Sequence, residues 1–380
     1  MSLPEPHPDA LAASHALLQL IANELDLAGG QLPFARFMEL ALYTPGLGYY
    51  SGGSAKLGAA GDFTTAPELS PLFGASVARA VAAIIAQSAP SILEFGAGTG
   101  KLAHDVLTAL AADGVPIDQY LIVELSAELR QRQQQALAQF PQVRWLDALP
   151  DSFSGVVLAN EVLDAMPVEL VSKTANGWQQ VTVTVDDGRL AWGRRDADAA
   201  LAAHIARQIP DADTLDIGYV TEVHPVAVGF METLARMLHA GAAILFDYGF
   251  PAHEYYVDDR TGGTVMCHYR HHAHPEPFYL PGLQDITAHV DFTAMALAAQ
   301  DAGLDVLGYM NQASFLLAND IGDLLLRYDP ADAKRYLPQA NAVHKLVSPA
   351  EMGELFKVLV VGAGVVLPEA IARADRSHRL

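Results

Sequence analysis

Apolar positions between residues 11 and 27 recur at helical spacing and stop at Gly29-Gly30, which predicts an opening helix. A second helix is predicted over 33–42, with Pro33 as a favourable first-turn residue, and a third over about 70–87. Between these two the chain is punctuated by glycine and proline, at Tyr43-Thr44-Pro45-Gly46 and again at Gly61-Asp62-Phe63-Thr64-Thr65-Ala66-Pro67, so a structured loop is expected. From residue 91 short apolar runs alternate with amphipathic ones. Strands are predicted at 92–95, 120–125, 143–146, 156–159 and 242–246, and helices at 101–112, 127–140 and 226–239. Such alternation implies right-handed crossovers, and hence an α/β fold with a doubly wound, Rossmann-like and mainly parallel sheet.

Two insertions interrupt the alternation, at about 168–220 and 250–292. The first opens with alternating runs such as Val181-Thr182-Val183-Thr184-Val185, broken at Ala175-Asn176-Gly177 and Asp186-Asp187-Gly188, which predicts a small antiparallel meander over 168–195. The second is rich in His, Tyr and Pro and is expected to be an irregular, substrate-facing excursion. Residues 305–309 and 356–361 are expected to be the last two strands, an antiparallel pair closing the sheet edge. Beyond about 320 no motif is recognised.

Composition narrows the function. With 380 residues, 51% of them hydrophobic, and a mean hydropathy of +0.18, the chain can bury a large core. Its 23 basic and 44 acidic residues give a formal charge of −21, which opposes a sequence-independent grip on nucleic-acid phosphates and favours a basic partner. Cys267 is the only cysteine, so an intrachain disulfide and a multi-thiolate zinc site are excluded. Cys267-His268-Tyr269-Arg270-His271-His272 lacks helical ligand spacing and flanking carboxylates, so no metal is expected there. The first ten residues lack the basic-then-apolar order of a signal peptide, and no apolar run reaches the roughly 20 residues needed to span a bilayer, so a cytoplasmic protein is expected.

The candidate chemistry begins at Leu93-Glu94-Phe95-Gly96-Ala97-Gly98-Thr99-Gly100, at a strand-to-helix turn. Glycines there let a ligand approach the backbone, and the following helix offers free N–H groups. Dinucleotide sites usually show G-x-G-x-x-G; here the third glycine comes one position early and Glu94 precedes the turn, a spacing typical of S-adenosylmethionine sites. Glu124, at the end of the next strand, is placed to accept both ribose hydroxyls, the alternative being a solvated strand-end glutamate. Asp147, ending the third strand, is expected beside the adenine. The fourth strand runs into Asn160-Glu161-Val162-Leu163-Asp164, where Glu161 and Asp164 share a face if the segment makes a helical turn. That pair suits a cationic nucleophile; alternatively Asp164 merely caps a turn.

These residues carry a family resemblance. The chain resembles the MidA-like class I methyltransferases, a family that includes a mitochondrial complex I assembly factor acting on an arginine of a core subunit. The matching stretches are Pro33 to Ser51, the segment from Gly61 to Ser70, Glu94 to Gly100, Asn160 to Pro167, Phe246-Asp247-Tyr248-Gly249, and Gln284 to Phe292. The resemblance implies S-adenosyl-L-methionine as cofactor, with Gly61, Asp62, Phe63 and Thr65 closing over its methionine part, Gly96 and Gly98 at its backbone, and Glu124 at its ribose. Glu94, Gly100, Asp147 and Asn160 complete the expected cofactor set. Residues 1–90 then form a helical lead and cofactor-closing loop, and 91–380 the catalytic domain. The implied acceptor is an arginine of a protein partner, such as a respiratory complex I subunit. Glu161 and Asp164 are expected to orient it, and Asp247, His289 or Asp291 to remove its proton. A nucleotide-linked oxidoreductase is disfavoured by the glycine spacing; a small-molecule methyltransferase and a non-catalytic assembly chaperone remain as rivals.

Overall fold

The computed structural model describes residues 3–52 and 65–380. Its central sheet runs through seven strands: β1 (Ser91–Phe95), β2 (Gln119–Val123), β3 (Val143–Leu146), β4 (Phe153–Asn160), β5 (Leu238–Phe250), β6 (Asp305–Asn311) and β7 (Phe356–Ala363). They lie in the order β3-β2-β1-β4-β5-β7-β6. Strands β1 to β5 are parallel to one another, and β7 is antiparallel to both β5 and β6. The expected antiparallel pair is present, but β7 slots between β5 and β6 rather than lying outside them.

The strands read as continuous apolar runs because both faces of the sheet are covered. Ile92, Tyr120, Ile122, Val156, Leu158, Ile244, Val358 and Val360 turn to one side, where the helices Pro71–Ile85 and Lys101–Ala112 pack. Leu93, Phe95, Leu121, Val157, Ala159, Leu245, Leu359 and Val361 turn to the other, against helices Pro225–Met237 and Phe292–Asp301. The segment beyond 320, silent in sequence, supplies helices Ile321–Leu325 and Ala333–Val347, whose Ile321, Leu324, Val343 and Leu346 join the first of these cores. Strand order reverses between β1 and β4, and such a switch leaves a crevice at the carboxyl ends of the strands.

The meander forms as its turns predict, from Glu169–Thr174, Gly177–Asp186 and Arg189–Asp196. Two further strands extend it, Val220–Val223 and Leu32–Pro33. Helices Pro8–Leu27 and Phe34–Tyr43 close over this second sheet, placing Leu17, Ile21, Phe37 and Met38 in one cluster with Val181, Val183, Cys267 and Ile286. The expectation of an irregular excursion over 250–292 is corrected. Met266–Tyr269, His272–His274 and Asp285–Thr287 form a three-stranded sheet. Its tight hairpin turns at Arg270 and His271, both with positive φ (48° and 65°), as a two-residue loop matched to strand twist requires. The sequence hides this hairpin because neither turn residue is the usual Asn or Gly.

At the amino end of β4 and β5, Gly155 and Gly241 are register partners with φ of 133° and 124°. A Cβ on Gly241 would lie 1.8 Å from the Gly155 carbonyl oxygen, so neither steric room nor backbone conformation accepts a side chain. Gly322, in a surface helix, is open: a Cβ added there would meet nothing within 4 Å. Gly241→Ala is therefore expected to destabilise the fold by about 3 kcal/mol or more, and Gly322→Ala to stabilise it by roughly 0.5 kcal/mol. Urea unfolding of both variants checks the contrast.

Candidate functional site

A cavity of about 610 Å³ opens at the carboxyl ends of β1, β2 and β4, where the strand order reverses. Its floor is the glycine turn, where Gly96 and Gly98 line the cavity; Gly100 does not, and caps helix Lys101–Ala112, and all three have positive φ (61°, 56° and 85°). A Cβ on Gly96 would crowd Val162 at 3.1 Å. Beneath the turn, Glu94 is buried and accepts a hydrogen bond from the Tyr120 hydroxyl at 2.8 Å. Burial pushes its carboxyl up to about 8, the Tyr120 hydroxyl opposing that and the Glu124 charge adding to it. Thr65 lines the cavity at the start of the short helix Ala66–Leu69, whose Glu68 accepts a hydrogen bond from the Thr99 hydroxyl of the glycine turn. Gly61, Asp62 and Phe63 lie outside the described residues.

Glu124 lines the cavity just beyond β2. Its Oε1 accepts from the Ser126 backbone N–H and its Oε2 from the Gln133 side chain, both at 2.8 Å. Leu125 and Leu149, both exposed, line the same end. Asp147 does not line the cavity; its carboxylate, 85% exposed, is ion-paired with Arg130. This end of the cavity is thus edged by leucines that offer a flat apolar contact, and no sequence motif marks them.

The opposite end is acidic and aromatic. Asn160, Glu161 and Asp164 line it at the end of β4, joined by Tyr43 and Tyr50 from the N-terminal helical lead, Tyr248 from β5, and Asp285 and Thr287 from the second insertion. Glu161 occupies the left-handed region at φ 54°, a conformation non-glycine residues rarely adopt outside functional turns. The Asn160 amide donates to its Oε1 at 3.1 Å. Burial, the nearby Asp164 charge adding to it, pushes Glu161 up to about 8; burial likewise raises Asp164 to about 6, against a hydrogen bond from Tyr248. Oδ1 of Asp164 and Oδ1 of Asn160 are buried and unpaired among the described residues. The Tyr50 hydroxyl lies 3.0 Å from both oxygens of Asp285. Sequence reasoning singles out Glu161 and Asp164 but assigns nothing to Tyr43, Tyr50, Tyr248, Asp285 or Thr287, which come from three remote segments.

The three residues expected to take a proton lie outside the cavity lining. Asp247 is fully buried. Its Oδ2 accepts from the backbone N–H groups of Val162, Leu163 and Asp164, at 3.1, 2.9 and 3.2 Å, and its Oδ1 from that of Tyr248 at 3.0 Å. Burial, with the Asp164 and Glu161 charges, pushes its carboxyl up while those backbone donors oppose the shift. Asp291 caps helix Phe292–Asp301 through the Ala294 N–H and accepts from the Tyr256 hydroxyl, both at 3.1 Å. The His289 ring stacks on Phe250 and meets Tyr248 edge-on, and burial lowers its imidazole to about 4, which keeps it neutral. Among the described residues no group of three His, Cys, Asp or Glu side chains is arranged to hold a metal, and no helix is long and apolar enough to cross a membrane.

This geometry can be set beside known proteins. Residues 73–310 match the family described as "Putative S-adenosyl-L-methionine-dependent methyltransferase". The protein arginine methyltransferase NDUFAF7, mitochondrial, of Bos taurus is 30% identical over 87% of this chain and 80% of its own length, and that of Danio rerio is 28% identical over 91% and 86%. The crystal structure of a COG1565 superfamily member from Burkholderia thailandensis, bound to S-adenosyl-homocysteine, superposes with a TM-score of 0.94 at 55% identity, covering 100% of both chains. The cytoplasmic expectation is overturned by these relatives: those of Danio rerio, Caenorhabditis elegans and Bos taurus are mitochondrial proteins, so the composition of the first ten residues is no guide to location. With a glycine turn, a cavity-lining carboxylate at the end of the next strand and a neighbour that holds the demethylated cofactor in the same fold, the chain belongs to the MidA-like family of S-adenosyl-L-methionine-dependent methyltransferases.

Proposed function

We propose that the methyl acceptor is an arginine side chain of a protein partner, with a respiratory complex I subunit as the partner implied by the family resemblance. The observation that carries this reading is the acidic, tyrosine-lined end of the cavity, where Glu161, Asp164 and Asp285 converge and Asp164 keeps an unpaired, buried oxygen. A guanidinium is planar, carries five N–H donors and stays charged at neutral pH, so it can satisfy several carboxylate oxygens at once and stack on tyrosine faces. The chain's charge of −21 supports it from longer range, since it attracts a basic surface. The names of the curated relatives agree in kind.

At the other end the residues fit the methyl donor. The positive-φ glycines give a carboxylate or amine close access to the backbone, Glu124 faces the cavity as an acceptor for ribose hydroxyls, and Leu125 and Leu149 offer an apolar edge to adenine. When bound, S-adenosyl-L-methionine supplies an electrophilic methyl group on its sulfonium. Glu161 and Asp164 hold the guanidinium so that one nitrogen faces that group at about 3 Å. The transfer would form the nitrogen–carbon bond as the methyl–sulfur bond breaks and S-adenosylhomocysteine leaves, and one of these carboxylates, whose raised affinity for protons suits the task, would take the proton that the nitrogen loses. The buried tyrosines keep water from the acceptor. In this reading Asp247, His289 and Asp291 shape the site and take no proton from the acceptor.

The reading is tested by incubating the protein with methyl-labelled S-adenosyl-L-methionine and cell extract, then hydrolysing the labelled proteins. Label in methylarginine is expected; label confined to small molecules, or no transfer, contradicts the arginine assignment. On the substrate so found, Glu161→Gln and Asp164→Asn are expected to lower turnover about 100-fold with cofactor affinity within about twofold of wild type. Both carboxyls have raised proton affinity in the free protein, at about 8 and about 6, and only their charged forms hold the cation. The wild-type kcat/KM is therefore expected to rise with pH from 6 through 8 and level off above about 9, and Glu161→Gln to move the inflection downward; a flat profile contradicts the assignment.

A further inference from the structure

Helix Ala127–Ala136 is polar along nearly its whole length, and only one of its residues, Gln133, is buried. That side chain is fully shielded from solvent although it has no apolar character to drive burial. Its amide makes three hydrogen bonds. Nε2 donates to the Gly98 carbonyl at 2.9 Å and to Glu124 Oε2 at 2.8 Å, and Oε1 accepts from the Trp145 indole N–H at 2.8 Å. An indole N–H can only donate, so it fixes which end of the amide faces β3. The NH2 group must then point at the glycine turn and at Glu124. Gln133 does not line the cavity, so it acts from behind its wall.

We propose that Gln133 is a positioning residue for the methyl donor, locking the glycine turn and the ribose-facing carboxylate into one relative placement, with Trp145 setting its orientation. The proposal rests on Glu124 being the ribose acceptor. Three segments separate in sequence, the β1 turn, the β2 end and β3, are bridged by this one side-chain amide. Without it, the Glu124 carboxylate keeps only backbone donors on one side and can rotate away from the two hydroxyls. Burial already disfavours its charge, and the Gln133 bond is one of the interactions that opposes this.

The test is calorimetric titration of the full chain with S-adenosylhomocysteine and with its analogue lacking both ribose hydroxyls. Gln133→Leu is expected to weaken the first ligand about tenfold, the scale of a lost hydrogen bond to a charged group, and to leave the dideoxy analogue within about twofold. Trp145→Phe removes only the orienting donor and is expected to shift the same ratio in the same direction by about threefold; it decides the matter if the leucine variant does not fold. Equal weakening of both ligands, or wild-type affinity for both, overturns the proposal, because a merely structural glutamine would not discriminate by the ribose. Glu124→Ala separates the two layers. If it leaves S-adenosylhomocysteine affinity unchanged, the ribose reading fails and this proposal with it; if it costs affinity while Gln133→Leu does not, only the role given to Gln133 fails.

Discussion

The site depends on one buried carboxylate. Four backbone N–H groups converge on Asp247, three of them from consecutive residues of the turn that follows β4. A turn that leaves a central strand has N–H groups with no strand partner, and inside a protein each unpaired one costs about 1–3 kcal/mol. A carboxylate at the end of the adjacent strand resolves this, and in doing so fixes where Glu161 and Asp164 emerge. The turn is tied from other sides as well, by the Ala288 N–H to the Asp164 carbonyl and by the Tyr43 hydroxyl to the Ala165 carbonyl. The left-handed backbone at Glu161 is tolerable because these bonds over-determine it.

The same ties explain why the insertions are integral to the site. The second insertion brings Asp285 and Thr287 to the cavity, and the N-terminal lead brings Tyr43 and Tyr50, so the acidic end is assembled from segments more than 200 residues apart. Burying several carboxyls close together, in and beneath the cavity wall, raises their affinity for protons, which is an electrostatic cost held in the unliganded fold. A cation entering the pocket would relieve that cost, so under the proposed function affinity for a guanidinium and discrimination against neutral groups would have one physical origin.

What is legible in the sequence is local. The apolar runs of β1 to β5 announce themselves because strands buried on both faces cannot alternate, and the glycine turn because positive φ at three positions in five leaves little choice of residue. Glu161 and Asp164 are within reach for the same reason, lying beside a strand end. Gln133 and Asp285 are not. Their surroundings are set by tertiary contacts that no nearby residue encodes, although a helix as polar as Ala-Glu-Leu-Arg-Gln-Arg-Gln-Gln-Gln-Ala docked on a sheet does need a polar anchor. Asp247 stands out in sequence for its position, which suggests a chemical task; its partners occupy both of its oxygens. The hairpin at 266–274 escapes because its turn residues are Arg and His.

Asp247→Asn tests the anchoring role most directly, since the amide replaces one acceptor oxygen with a donor facing the backbone N–H groups and leaves the cavity lining untouched. The measurement is thermal unfolding of the variant, alone and with S-adenosylhomocysteine, alongside its methyl-transfer rate. If Asp247 anchors the turn, stability falls by about 2 kcal/mol or more and activity falls with it. Wild-type stability combined with abolished transfer would contradict the account, because it would place the Asp247 carboxylate in the chemistry instead of beneath it.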